Sequence, residues 1–304
     1  MKIVVLDSAT ITQCDLSWEA LSHLGQLEVH ERTPQEQVIR TIGDAPAAFF
    51  SKCKMTAEVM DACPDLKFIG ILATGYDNVD VEAARNRGIA VCNVPAYSTD
   101  AVAQHTFALL LEITNSPGLH SQAVRSGEWS RSEDFCMVKR PIMQLTDKSL
   151  GIVGYGSIGR RVASIAEAFG MKVHIYSRDP DAAITSDIVT LHCPLNDGNK
   201  GFVNKDFISR MKDGAVLLNT ARGGLVNEED LAQALRSGKL SAAGLDVLDG
   251  EPPRPDNPLI SAPNIFITPH IAWASKEARQ TICDVSAGNL KSWMEGGVLN
   301  RVDL

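Results

Sequence analysis

No stretch of the sequence concentrates charge of one sign, and the formal net charge is −8 with a pI near 5.4. Nucleic acids and anionic membrane surfaces draw in basic patches, so neither is expected as a partner. No apolar run is long enough to span a bilayer. The chain opens directly on the strand-like run Ile3-Val-Val-Leu6, with no signal peptide expected before it. The seven cysteines (14, 53, 63, 92, 136, 193 and 283) never form a C-x-x-C pair. An odd, scattered set of thiols suits a reduced, cytoplasmic protein better than a disulfide frame or a zinc site. The seven histidines lack ligand spacing as well, since no two lie three or four apart. No metal is expected.

What is present is enough apolar material for two cores: 304 residues, 44% of them hydrophobic. Residues 1 to about 97 alternate short apolar runs with helical stretches. Strands are expected over Ile3–Leu6, Leu27–His30, Ala47–Phe50, Phe68–Leu72 and Ile89–Cys92. Helices are expected over Trp18–Leu24, Pro34–Ile42, Thr56–Cys63 and Val81–Arg87. Such alternation argues an α/β fold with a parallel, doubly wound sheet. The turn after the first strand, Leu6-Asp-Ser-Ala-Thr10, holds no glycine and so no phosphate-binding loop.

The central stretch runs from Asp147 to Arg178 and reads as strand, glycine turn, helix, strand. Leu150, Ile152 and Val153 lead into Gly154-Tyr-Gly156-Ser-Ile-Gly159. Ile158, Val162, Ile165, Ala166 and Phe169 then fall on one helical face. In such a turn the first glycine permits the bend and the second lets a pyrophosphate approach the backbone. The third allows close packing of helix on strand, and the helix N-terminus offers free N–H groups to the phosphates. A strand before it and a helix and strand after it are the context that confirms a dinucleotide site. The end of the second strand selects the cofactor, because an acid there suits the ribose of NAD and an Arg suits the 2′-phosphate of NADP. Ser177-Arg178 stands in that place with Asp179 next, which favours NADP over NAD.

Ser98-Thr-Asp100 can cap a helix over Ala101–Ile113, in which His105 is expected to be a packed or hydrogen-bonded residue. Residues 115 to 147 show little periodicity and are expected to form an arm against a second subunit. The link from Asp179 to Ser186 is too short for a full crossover helix with its turns, so either the helix is reduced to a turn or residues are absent from it. Further on come a helical turn at Phe207–Met211, a strand at Ala215–Asn219 and a helix at Glu228–Ser237 ending on Gly238. Strands at Ala242–Val247 and Ile265–Thr268 follow, then a last helix over Lys276–Met294 that returns to the first domain.

Doubly wound sheets bind ligands at the C-terminal ends of their strands. Arg222, Glu251 and His270 all follow strand ends in the dinucleotide unit. An Arg fork can clamp a carboxylate and polarise a carbonyl. A His exchanges protons near neutral pH, and a neighbouring carboxylate favours the charged form of an imidazole. Together they suit hydride transfer. In the first unit the loop Ala73-Thr-Gly75-Tyr-Asp-Asn-Val-Asp80 also follows a strand end. It could hold a carboxylate on its N–H groups, or be an ordinary turn with Asp77 or Asn78 capping the next helix.

The motifs Gly154-Tyr-Gly-Ser-Ile-Gly159, His192-Cys-Pro-Leu195, Asn219-Thr-Ala-Arg-Gly-Gly224, Gly244-Leu-Asp-Val247, Glu251-Pro252 and Pro269-His270 resemble those of the D-isomer-specific 2-hydroxyacid dehydrogenase family. The likeness covers nearly the whole chain. It implies a flavodoxin-like substrate domain from residues 1–97 plus 275–304 and a Rossmann dinucleotide domain from 98–274. It also implies a homodimer acting on a small 2-keto or 2-hydroxy acid. The catalytic residues would be Arg222, Glu251 and His270, with Asp246 as the aspartate that meets the nicotinamide carboxamide. Cofactor contacts would fall on Gly154, Gly156, Ser157, Ile158, Gly159, Ser177, Arg178, Cys193, Pro194, Thr220 and Ala221. Thr74 and Gly75, with Arg222, would take the substrate carboxylate.

The run Pro269-His-Ile-Ala-Trp-Ala-Ser275 resembles the glycerate dehydrogenase/hydroxypyruvate reductase branch, whose members reduce hydroxypyruvate and often glyoxylate. Trp273 would then border the substrate and limit its size. Two residues depart from the family pattern: Ser177 replaces the acid of NAD-using members, and Gln104 stands where many have Glu. Glu251 separates the chain from the related formate dehydrogenases, which carry Gln there. No C-terminal regulatory domain of the phosphoglycerate dehydrogenase kind is expected. The rival from another class is a dinucleotide-sensing, corepressor-like binding protein of the same fold, whose members tend to carry disordered tails.

Overall fold

The computed structural model describes residues 1–12 and 14–304. They form two compact units, Met1–Ser98 with Ala274–Leu304, and Thr99–Trp273.

The first unit is a five-stranded parallel sheet: β1 (Lys2–Val5), β2 (Gln26–Val29), β3 (Ala47–Phe50), β4 (Phe68–Ile71) and β5 (Ala90–Cys92). The order β2-β1-β3-β4-β5 is the flavodoxin-like winding. The helices between its strands are short: α1 (Glu19–Ser22), α2 (Val38–Ile42), α3 (Ala57–Ala62) and α4 (Val81–Asn86). The helix expected from Pro34 instead opens as a 3₁₀ turn, Gln35–Gln37, because Pro34 is extended (ψ 146°) and no side chain caps that turn. Val4, Leu6, Phe50, Ile69 and Ile71 pack one sheet face against Val38, Ile42, Val59 and Met60. The C-terminal helix, Lys276–Met294, packs on β4, β5 and α1, with Trp293 tilted against Phe68 at 5.4 Å between ring centres. Ala278, Ile282 and Leu290 are buried along that helix, and Val285 and Trp293 are half-buried.

Buried polar groups tie the strand ends of this unit together. The Asp7 carboxylate accepts from the backbone N–H groups of Ser51 (2.7 Å), Lys52 (2.6 Å) and Cys53 (3.1 Å). Asn78 Nδ2 donates to the Ser51 and Cys53 carbonyls at 3.1 and 2.9 Å. Asn78 is thereby committed to a neighbouring loop, and Asp80 caps α4 by accepting from Ala83 N at 2.9 Å. The cap is Asp80, neither Asp77 nor Asn78.

The second unit begins with α5 (Thr99–Asn115) and α6 (Pro117–Arg125). The segment expected to be irregular from 115 to 147 therefore contains a nine-residue helix and a 3₁₀ turn, Trp129–Arg131. Only Ala123 of α6 is buried, so its sequence carries no apolar stripe by which a helical period could be recognised. Next come β6 (Ser149–Val153), α7 (Ser157–Ala168), β7 (Lys172–Ile175), α8 (Pro180–Ile184) and β8 (Ile188–Leu191). They are followed by α9 (Lys205–Arg210), β9 (Ala215–Asn219), α10 (Glu228–Ser237), β10 (Leu240–Leu245) and β11 (Ile265–Ile267). All six strands are parallel in the order β11-β10-β9-β8-β6-β7. Strand β10 starts two residues before the expected Ala242, because a register shift between Leu240 and Ala242 breaks its alternation.

The short link from Asp179 to Ser186 is a complete crossover. Asp179 Oδ1 accepts from Ala182 N at 3.0 Å and starts the five-residue α8 at once. A Cβ at Gly151 would lie 1.9 Å from the Ala183 carbonyl oxygen, so α8 rests directly on β6 at a glycine. The six-stranded Rossmann order, 3-2-1-4-5-6, has one more strand outside the second. Here the eight-residue link leaves no room for it, and β7 is itself the sheet edge. Alternate residues of the strands feed two cores. Leu217 and Leu245 pack with α8, α9 and α10 on one face, while Val216 and Leu218 pack with α5 and α7 on the other.

Candidate active site

The glycine turn after β6 is built as a phosphate cradle. Gly154 has φ 99°, and a Cβ there would lie 2.4 Å from Cys193 N and 2.5 Å from His192 C. The His192-Cys193 backbone therefore closes against the turn, helped by a bond from His192 N to the Val153 carbonyl (2.7 Å). At Gly159 a Cβ would meet the Gly154 carbonyl oxygen at 2.1 Å, which is the close packing of helix on turn. Gly156 differs: a Cβ there meets nothing within 4 Å. Its φ of −77° is ordinary, and no side chain caps the N-terminus of α7 behind it. The free space and the uncapped N–H groups of Ser157 and Ile158 suit a pyrophosphate. Gly156→Ala should therefore leave the melting temperature of the ligand-free protein unchanged. It should weaken nicotinamide-dinucleotide binding at least about tenfold, the size of one lost charge-assisted contact of about 1.5–3 kcal/mol. Calorimetric titration checks this, and equal affinity in the variant would remove the cradle reading.

Around the turn, Ser177 and Arg178 are exposed beyond β7, and the Arg178 guanidinium lies 5.4 Å from the Tyr155 ring centre. Cys193 is half-buried and Pro194 exposed. Thr220 is buried with its hydroxyl 3.0 Å from that of Thr106, and Ala221 N donates to Asn219 Oδ1 at 3.0 Å.

His192 has a property that its sequence motif does not disclose. Its Nε2 meets Thr190 Oγ1 at 3.0 Å, while Nδ1 is buried with no partner among the described residues. Burial pushes the imidazole down from 6.5 to about 3. The unfolded chain then takes up a proton at this residue well before the folded one does. Stability should be full above pH 6.5 and fall as the pH drops toward 3, by up to about 1.4 kcal/mol per pH unit. Urea midpoints at pH 7 and pH 5 for the parent and His192→Gln test this: the variant should lose that part of the slope.

Strands β9, β10 and β11 lie in register, with Asn219 opposite Leu245 and Leu245 opposite Ile267, so their C-terminal loops leave the sheet at one level. Buried Asn219 shapes the first loop, accepting from Ala221 N and donating Nδ2 to the Arg222 carbonyl at 2.8 Å. The Arg222 side chain is exposed. Its Nη1 donates to the Ala221 carbonyl (2.7 Å), and among the described residues it meets no carboxylate.

Gly223 presses against the second loop, since a Cβ there would lie 1.9 Å from Leu248 C and 2.4 Å from Asp249 N. Leu248 N donates to Glu251 Oε1 at 3.1 Å, and Glu251 Oε2 lies 2.5 Å from His270 Nδ1. Glu251 and His270 are thus paired across two strand ends, and the loop that carries Arg222 packs against the Glu251 loop through Gly223. With Nδ1 engaged, Nε2 is the ring nitrogen left for proton exchange.

Glu228 was not singled out in the sequence, and the contacts made by Asp246, Trp273 and His105 were not visible there. Glu228 accepts from Asp249 N (2.9 Å) and Asn257 Nδ2 (2.7 Å), steadying the loop that carries Glu251. Buried Asp246 accepts from Thr268 Oγ1 (2.6 Å), Ile271 N (2.9 Å) and Ala272 N (2.7 Å). Its carboxylate is largely committed to the loop that carries His270. Trp273 Nε1 donates to the His270 carbonyl at 2.9 Å. His105, on α5, reaches Thr268 Oγ1 with Nε2 at 2.9 Å.

In the first unit, Thr74 Oγ1 donates to the Val94 carbonyl (2.8 Å) and the Thr74 carbonyl accepts from Asn93 Nδ2 (2.7 Å). Its hydroxyl is therefore used within the loop, which leaves backbone N–H groups at exposed Thr74 and half-buried Gly75 for a ligand. Among the described residues no three His, Cys, Asp or Glu side chains group as a metal site. No helix among them is long and apolar enough to cross a membrane.

An open phosphate cradle and a His–Glu pair at the strand ends of one parallel sheet define a dinucleotide-dependent oxidoreductase. Residues 107–272 match the NAD binding domain of the D-isomer specific 2-hydroxyacid dehydrogenases. The whole chain is 44% identical to a hydroxypyruvate reductase of Blautia hydrogenotrophica, over 100% of both chains. It is 36% identical to a glycerate dehydrogenase of Methylorubrum extorquens, over 99% of each. Among solved structures it superposes with a TM-score of 0.81 on an NADPH-dependent glyoxylate/hydroxypyruvate reductase of Sinorhizobium meliloti, solved with NADP and malonate. That pair is 30% identical over 99% of this chain and 96% of the other. The chain belongs to the D-isomer specific 2-hydroxyacid dehydrogenase family and is an NAD(P)-dependent oxidoreductase.

Proposed function

We propose that this protein reduces hydroxypyruvate, and glyoxylate as a smaller alternative, with NADPH as the favoured cofactor. The observation that carries the reading is the 2.5 Å contact between His270 Nδ1 and Glu251, which aims Nε2 as proton donor. The glycine turn at Gly154, Gly156 and Gly159 would hold a nicotinamide dinucleotide, which would supply the hydride for the keto carbon. His270 Nε2 delivers the proton to the carbonyl oxygen, and Glu251, on Nδ1, holds the imidazole in the orientation that permits it. Arg222, with no carboxylate of its own, clamps the substrate carboxylate and polarises the carbonyl. In the first unit, Thr74 and Gly75 are the proposed substrate-binding residues, through their backbone N–H groups. Trp273, held by its bond to the His270 carbonyl, restricts the substrate to small side chains. Residues 1–97 with 275–304 serve as the substrate domain and 98–274 as the dinucleotide domain.

NADPH is favoured on the charges beyond β7. Asp179 is occupied as the cap of α8, while Arg178 is exposed beside Tyr155 of the glycine turn and is available to a 2′-phosphate. The protein is further proposed to be a cytoplasmic homodimer. The segment after α6 supports this by exposing Trp129, Val138, Ile142 and, at 91%, Phe135. Absorbance at 340 nm with a panel of 2-keto acids and both nicotinamides tests the reading. Hydroxypyruvate and glyoxylate should oxidise NADPH faster than NADH, and absence of turnover with every keto acid would favour a binding protein. Sedimentation of Phe135→Asp tests the dimer, since a variant as dimeric as the parent would place the contact elsewhere.

A further inference from the structure

The backbone of His270 is in the left-handed region, with φ 55°. A non-glycine residue holds that conformation only where its surroundings over-determine it. His270 N donates to the Asp246 carbonyl (2.8 Å) and lies 3.0 Å from the Thr268 carbonyl. On the following residues, Ile271 N and Ala272 N are held by the Asp246 carboxylate. What aims that carboxylate in turn is Thr268, whose hydroxyl donates to Asp246 Oδ1 at 2.6 Å.

The Thr268 hydroxyl has a single proton. Spent on Asp246, it leaves oxygen lone pairs, so the 2.9 Å contact with His105 runs from the imidazole Nε2–H to the threonine oxygen. His105 Nε2 also lies 3.5 Å from Asp246 Oδ1. The result is a directed chain, His105 to Thr268 to Asp246, that runs from α5 to the loop bearing His270. Asp246 is buried and His105 and Thr268 are shielded, so each link is protected from competition by water.

We propose that Thr268 and His105 are positioning residues for the reduction. They orient the Asp246 carboxylate, which holds His270 in its left-handed turn with Nδ1 on Glu251 and Nε2 free. The inference rests on the role given above to His270, and the experiment separates the two. Thr268→Val keeps the volume and removes only the hydroxyl. If the parent reduces no 2-keto acid, the functional reading fails before any variant is compared.

With an active parent, Thr268→Val should lose kcat about 10- to 100-fold, the effect of a displacement near 1 Å at a reacting group. NADPH affinity should stay within about twofold, because the phosphate cradle is not touched. Thr268→Ser, which restores the hydroxyl, should recover most of the rate. His105→Phe should lose kcat by a smaller factor and in the same direction, and it serves in its place if Thr268→Val does not fold. Parent-like kcat in Thr268→Val overturns the proposal. So does a serine variant as slow as the valine variant, since packing and not the hydroxyl would then be what matters. A fall in NADPH affinity that matches the fall in kcat also overturns it.

Discussion

Replacing His270 with Ala should reduce kcat by about 10²- to 10⁴-fold, the usual contribution of a positioned general acid. NADPH affinity should change little. The loss is expected to be large because the other imidazoles of the second unit are not placed to take over, His174 lying within β7 and not at its C-terminal end. Desolvation of the half-buried His192 ring pushes it down to about 3, so it is not a proton donor near neutrality. His105 has its Nε2 on Thr268. His120 is paired through Nδ1 with the Ser116 carbonyl at the start of α6 and through Nε2 with Lys139 N. His270 instead sits at a strand end with Nδ1 on the Glu251 carboxylate, which leaves Nε2 to face a substrate. Single-turnover rates at saturating NADPH measure the effect on the chemical step. A variant keeping more than a tenth of the parent rate would show that the proton comes from water or from another group.

The second large effect is expected at Arg222. Its guanidinium is exposed and donates only to the carbonyl of the preceding residue, so Arg222→Ala should leave stability within about 0.5 kcal/mol. For the keto acid the change is different in kind. Removing the charged partner of a desolvated carboxylate costs about 2–5 kcal/mol, or roughly 30- to 5,000-fold in kcat/KM. Arg222→Lys should recover only part of this, because an ammonium cannot reproduce the paired bonds of the planar fork. Were Arg222 only a turn residue, Lys would restore full activity and Ala would cost little. Steady-state kinetics of the two variants beside their thermal melts separate these outcomes.

Much of this arrangement could be read along the chain. Apolar runs such as Ala47–Phe50 and Ala215–Asn219 are buried on both faces, so their boundaries matched the strands observed. Helices with a strong apolar stripe and a capping glycine, such as Glu228–Ser237 before Gly238, were equally legible. Helix α6 was not, because a helix that buries one residue carries no stripe. The link from Asp179 to Ser186 could not be resolved from its length either. What permits it is Gly151, which is remote in sequence and admits the Ala183 carbonyl against β6.

By itself the sequence determined the chemistry on offer: a glycine turn between strand and helix, and an Arg, a Glu and a His that each follow a strand. Residue type and local period decide such features, and both are properties of neighbours in the chain. Only the tertiary structure decided how those groups are held. The registration of β9, β10 and β11 brings three loops to one level, Asp246 spends its carboxylate on the His270 loop, and His192 loses its water. Hydrogen-bond partners and burial depend on which distant segments meet, and that is settled by the packing of whole elements.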